Sequence, residues 1–190
     1  MQIELPDDLK TCVEFHGHLC PGVVIGYCAA KLGMSELNAE RAGDEELIAI
    51  VENDTCAVDG VQVLTGCTFG KGNLFFHDYG KMVFTFATRA NGRSVRLRLL
   101  PVEVPGMESV PEDRRRQRQI EFMLASDPKD LFEIHNDALD SLPQTARIHE
   151  SIRCEQCGET AMATRIHQVD GRSLCIPCSQ AAEQTQAEGK

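Results

Sequence analysis

The sequence predicts an α+β core domain with an appended C-terminal treble-clef zinc finger, and three observations carry that prediction. Four cysteines recur as Cys154-x2-Cys157-x17-Cys175-x2-Cys178. Between residues 11 and about 105, apolar strand-like runs mix with unevenly placed helical stretches, without the regular alternation of repeated βαβ units. The 190 residues suit one modest domain plus a small appendage, with the division expected at 1–145 and 146–190.

Two C-x2-C pairs at this separation are the spacing of a tetrahedral four-cysteine zinc site, because each pair presents two thiolates from one tight turn. Between the pairs, Asp170-Gly171 separates two strand-like runs, and both residues tolerate the positive φ of a tight hairpin. After Cys178, Ser179 to Gln184 is rich in helix formers. Knuckle, hairpin and a helix carrying the second pair in its first turn make a treble clef, holding one structural zinc per chain. His167 is left out, since four sulfurs already close the site.

Within the core, Val23 to Leu32 is apolar almost all round and reads as a buried helix stopping at Gly33. Leu47-Ile48-Ala49-Ile50-Val51 reads as a buried strand, and Cys56 to Leu64 as a second helix stopped by Gly66. Met82 to Thr88 and Ser94 to Leu99 read as a strand pair turned at Asn91-Gly92. Ser109 and Glu112 stand at capping-box spacing before the Ile120, Met123, Leu124 stripe, and Asp127-Pro128 caps a further helix. Ser141 to Thr145 is the expected linker towards the finger.

A net charge of −10 argues against non-specific binding to nucleic acid or an anionic membrane. The basic run Arg114-Arg115-Arg116-Gln117-Arg118 lies among Glu108, Glu112, Asp113 and Glu121 and reads as a solvated helix face. No export signal opens the chain and no apolar run reaches the roughly 18 residues of a membrane span. Nine cysteines, several at metal-ligand spacing, fit a reducing cytoplasm.

The core holds its own concentration of chemistry. His16-Gly17-His18-Leu19-Cys20-Pro21-Gly22 places two imidazoles and a thiol just before a helix, whose N-terminus favours thiolate. In an extended segment, His16 and His18 would share one side, and imidazole with thiolate is ligand chemistry for zinc or a softer metal. Cys56 stands where a buried strand ends and a helix begins, a place where sites are built. Cys67 and Lys71 lie in the glycine-rich stretch Gly66-Cys67-Thr68-Phe69-Gly70-Lys71-Gly72-Asn73, which misses the Walker spacing and its Ser or Thr, so nucleotide hydrolysis is excluded. Cys28 reads as core packing, and Cys12 has no distinctive context. His77-Asp78-Tyr79-Gly80-Lys81 stays open between an ordinary turn and part of a site.

Taken together, His16-Gly17-His18-x-Cys20-Pro21-Gly22, Cys56-x-x-Asp59-x-x-Gln62, Gly66-Cys67-Thr68-x-Gly70-Lys71-Gly72-Asn73 and Asp78-Tyr79-Gly80-Lys81 resemble the E-subunit family of formylmethanofuran dehydrogenase over about residues 10–150. The resemblance implies a dimeric α+β core with a treble-clef finger as auxiliary domain. It also implies an association with molybdenum- or tungsten-dependent formylmethanofuran dehydrogenase in methanogenic one-carbon metabolism. The chain lacks a Rossmann fingerprint and a ferredoxin cysteine run, so it is not itself the pterin or iron–sulfur catalyst.

The expected function is therefore a cytoplasmic, zinc-binding oxidoreductase or oxidoreductase accessory subunit. Its catalytic candidates are His18, Cys20, Cys56, Cys67 and Lys71, with Cys20, Cys56, Cys67 and His18 sharing one pocket. His16, His18, Cys20 and Cys56 are the candidate ligands of a second metal. The alternative is a non-enzymatic dimer whose finger binds a protein partner.

Overall fold

The structure, a computed structural model, describes residues 4–188, and the side chains up to residue 184. The chain divides into two compact units, one ending at Ala146 and the other beginning at Arg147.

The first unit opens with α1 (Asp7–His16), whose first-turn Asp7 and Asp8 complement the helix dipole. Gly17, at φ 93°, ends it by returning its N–H to the Val13 carbonyl. Three residues later Cys20 caps α2 (Pro21–Leu37), with Pro21 at the first helical position where a missing N–H costs nothing. This helix runs past Gly33, where the sequence places its stop, and ends at Asn38 in the left-handed region. Gly33 is needed for close approach instead: a Cβ there would stand 2.2 Å from the Phe86 ring.

A five-stranded sheet of order β2-β1-β3-β4-β5 forms the platform. It comprises β1 (Leu47–Val51), β2 (Leu74–Phe76), β3 (Val83–Thr88), β4 (Ser94–Leu99) and β5 (Phe132–Asn136). β1 and β2 are parallel and joined through α3 (Ala57–Thr65), while the other pairings are antiparallel. One face packs Leu47, Ala49, Phe84, Phe86 and Leu97 into the main core with α2. The other buries Ile48, Ile50 and Ala87 beneath Phe75, Leu139 and Leu142. Burial on both faces explains why β1 is apolar at every position rather than alternating.

Four local readings are corrected. The β3–β4 turn is longer than a two-residue Asn-Gly turn: Thr88 and Arg93 pair across it, Gly92 alone has positive φ, and Asn91 Oδ1 accepts from Arg93 N–H. Ser109 does not cap α4 (Glu112–Ala125), because Pro111 occupies the N-cap and Ser109 closes a short 3-10 turn. β2 and β5 carry no alternating pattern and escape sequence reading. Ser141 to Thr145 is no free linker, since Arg89 donates to the carbonyls of Pro143 and Gln144, and Glu45 accepts from the Ala146 N–H. The Asp127 cap of α5 (Pro128–Leu131) is as expected, with its carboxylate accepting from Lys129 N–H at 2.9 Å.

In the second unit β6 (Ser151–Arg153) and β7 (Thr160–Met162) pair around the first cysteine knuckle. β8 (Ile166–Val169) and β9 (Arg172–Cys175) form the hairpin, with Asp170 at φ 49° and Gly171 at φ 77°. α6 (Ile176–Glu188) follows at once, so Cys175 ends a strand and only Cys178 lies in the helix's first turn. No helix among the described residues is long and apolar enough to cross a membrane.

Candidate metal centres

The finger's four sulfurs converge. Cys154, Cys157, Cys175 and Cys178 present Sγ atoms all within 4.8 Å of one another. Cys157 and Cys175 Sγ lie 3.8 Å apart. Tetrahedral zinc–sulfur bonds of about 2.3 Å require edges of about 3.8 Å, so the donor set fits zinc. The Cys175 N–H donates to Cys154 Sγ at 3.3 Å. Backbone N–H groups of Cys157 and Cys175 lower the Cys154 thiol to about 6, preparing it as a thiolate.

The core assembles a second group from three separate pieces of chain. His16 ends α1, Cys20 caps α2 and Cys56 caps α3, and their donor atoms also lie within 4.8 Å of one another. Two close helix contacts bring them together. A Cβ on Gly22 would stand 2.8 Å from Cys56 Cβ, and one on Gly26 only 1.8 Å from the Ala57 carbonyl oxygen, so α2 and α3 meet through bare backbone. His16 Nδ1 donates to Asp59 Oδ2 at 2.7 Å, because the carboxylate can only accept. That fixes the imidazole tautomer and leaves Nε2 facing Cys20 Sγ at 3.8 Å. A tetrahedral metal with bonds of about 2.0 Å to nitrogen and 2.3 Å to sulfur asks for about 3.6 Å. Burial first, then the neighbouring Cys20, raises the Cys56 thiol.

The arrangement separates the sequence candidates. His16, Cys20 and Cys56 come together, whereas His18 does not join the ligand group. α1 persists through His16, so the two histidines do not share one side of an extended strand. The exposed His18 ring instead lies 4.5 Å from the His16 ring, centroid to centroid. Cys67 is not in a shared pocket. It is fully buried, and its thiol donates to the carbonyl of Leu47 at the start of β1, whereas Cys56 follows the strand's far end. Lys71 sits with Cys67 and donates to the Ala42 and Gly43 carbonyls. Asn73 locks this glycine-rich loop by accepting from Thr68 N–H and donating to the carbonyls of Asp44 and Leu47. The loop is therefore a structural clasp.

Asp59 is the residue that sequence reasoning leaves outside its candidates. Its signal is present: Cys56 and Asp59 are spaced i, i+3 and share one face of α3. A cleft of about 390 Å³ adjoins the group, with His16, Cys56 and Asp59 at one side and Phe69 and Phe76 at another.

The inert thiols make a pH prediction. Burial raises Cys12, Cys28 and Cys67 from 9.0 to about 11. A raised thiol pKa stabilises the fold fully below pH 9, and that contribution is lost as pH rises from 9 through 11, because only the unfolded chain ionises freely there. Urea melts should show stability falling across this interval. Cys28→Ala should lose less over the same interval, and an identical slope would contradict the buried-thiol account.

A mixed α+β core carrying an imidazole–thiolate cluster, followed by a four-cysteine zinc finger, defines a class of metal-binding protein. Residues 15–146 match the model of the FmdE family, described as molybdenum formylmethanofuran dehydrogenase operon, and the chain belongs to that family. Residues 148–184 match the prokaryotic dksA/traR C4-type zinc finger. A solved structure of an FmdE-like protein from Syntrophus aciditrophicus, related to tungsten formylmethanofuran dehydrogenase, is similar, with a TM-score of 0.67 and 26% identity, covering 92% of this chain and 91% of that one. A probable S-adenosyl-L-methionine-binding protein of Archaeoglobus fulgidus is 33% identical over 202 residues, covering 94% of this chain. The chain spans 54% of that protein's length, about half.

Proposed function

We propose that the core is a second metal centre, in which His16, Cys20 and Cys56 hold a zinc-class ion for metal-assisted or thiol redox chemistry while the finger's zinc is structural. The observation that carries this reading is the His16–Asp59 bond, which aims Nε2 at two cysteine sulfurs. A carboxylate orienting a ligating histidine is the usual second contact of a metal site. Three protein donors, where zinc takes four, leave a place for a substrate, unlike the four sulfurs of the finger. An ion held there would supply Lewis acidity. Asp59 holds the His16 proton, and the thiols of Cys20 and Cys56 supply charge. Family membership supports a role as accessory oxidoreductase beside molybdenum- or tungsten-dependent one-carbon chemistry. Thiolate ligands favour a reducing cytoplasm, and assembly as a homodimer completes the proposal.

A second reading, an accessory protein whose finger binds a protein partner, draws on exposed Ile152 and Met162 on the β6–β7 pair.

Metal analysis of the purified chain tests the first reading. We expect two zinc-class ions per chain, falling to one in Cys20→Ser/Cys56→Ser with the fold retained. Asp59→Asn should weaken the core metal by about 10- to 100-fold, the usual effect of removing a ligand's orienting partner. One ion per chain in the wild type would overturn the centre and favour the accessory reading.

A further inference from the structure

The cleft beside the core donors has a lining whose chemistry is selective. Its volume, about 390 Å³, suits a small ring compound. Among the described residues, the large apolar side chains left exposed in the first unit are Phe15, Phe69, Phe76 and Tyr79, all aromatic. Two of them, Phe69 and Phe76, line this cleft. Phe76 is placed there by the register of β2, which pairs it with Val51 at the end of β1. Exposed rings at a cavity mouth offer faces and edges on which another planar ring can stack.

Charge narrows the class further. Asp54 and Asp59 line the cleft, and no lysine or arginine does so among the described residues. A phosphorylated or carboxylated ligand would meet like charge there with no cation to receive it. The donor set narrows it again. Two thiolates make the centre soft and offset the charge of a divalent ion, so the remaining place suits a neutral nitrogen or sulfur donor.

Resting on the metal centre proposed above, we propose that this cleft binds a neutral or cationic planar ring compound, stacked against Phe69 and Phe76, whose nitrogen or sulfur atom reaches the place left by His16, Cys20 and Cys56. Val51 and Val58 supply the apolar wall. The carboxylates of Asp54 and Asp59 exclude anions.

Cobalt(II) provides the test, because its visible absorption reports a change in donor set without any assay of activity. The full-length chain is loaded with cobalt and titrated with pyridine, a neutral planar nitrogen donor, and with nicotinate, the same ring carrying a carboxylate. The finger, closed by four sulfurs, has no place for either probe. We expect pyridine to change the spectrum and nicotinate to bind at least tenfold more weakly. Phe69→Ala/Phe76→Ala should lower pyridine affinity by about tenfold, the combined effect of two aromatic contacts, with two cobalt ions still bound. Two bound cobalt ions with no pyridine response, or with nicotinate binding equally well, would overturn the ligand class while leaving the metal centre standing. Unchanged pyridine affinity in the folded double variant would overturn the stacking role. One cobalt ion per chain, unaffected by Cys20→Ser/Cys56→Ser, would overturn the metal centre itself. The wild-type comparison of pyridine with nicotinate decides the charge selection even where the double variant does not fold.

Discussion

Stripping the zinc from the finger should unfold everything beyond Arg147 while the five-stranded sheet keeps its protection. The second unit has almost nothing else to hold it: its buried cluster is Cys154, Leu174 and Cys175, two of them metal ligands. A unit of this size cannot offset its chain entropy from so small a core. Zinc binding by four deprotonated ligands is worth about 10–16 kcal/mol in isolated fingers, so metal and fold are one equilibrium. Hydrogen exchange after chelation should show complete loss of protection in β6 to β9, with β1, β3 and β4 unchanged. Cys154→Ser should reproduce the loss without a chelator. A finger that stays protected in both experiments, or a sheet that loses protection equally, would refute this division of labour.

Gly26→Ala should be the most damaging small substitution in the core. In an ordinary helix interior this change gains about 1 kcal/mol. Here the new methyl would enter the backbone of α3, 1.8 Å from the Ala57 carbonyl oxygen and 2.8 Å from its Cα. Backbone cannot step aside as a side-chain tip can, so α2 and α3 must separate. The expected cost is about 3 kcal/mol, the upper end of overpacking penalties. Gly60 meets α2 from the other side, where a Cβ would stand 2.8 Å from both Tyr27 N and Val23 O, so Gly60→Ala should act alike. Separating the helices also separates Cys20 from Cys56, and core metal affinity should fall with stability. Urea unfolding and metal content of the two variants check both effects. Wild-type values of either in Gly26→Ala would show that the interface is looser than its geometry.

These contacts also explain what the sequence can and cannot reveal. The finger is legible because its ligand pairs are local and their spacing reflects the turn that each must make. Leu47 to Val51 is legible because a strand buried on both faces must be apolar throughout. β2 and β5 are not, since three residues carry too little periodicity, and Phe132-Glu133-Ile134-His135 owes its strand form to pairing with β4. The core donors are visible as residue types but not as a set. Local placement puts Cys67 at a glycine-rich turn without revealing that the turn lies at the opposite end of β1. It puts His16 and His18 in one extended segment because nothing before Gly17 announces that α1 continues to its last histidine. Asp59 is hidden because its partner lies 43 positions away in the chain.

The edges of the sheet carry a consequence for self-association. β2 is only three residues long, too short to template more than a few bonds with an incoming strand. β5, the other edge, presents Glu133, His135 and Asn136 on its length, and Glu133 is held by Arg98. Polar, short edges discourage the backbone pairing by which sheets grow into aggregates. Copies of this core should therefore resist joining strand to strand, and any stable pairing between them must be written in side chains on a face or a helix.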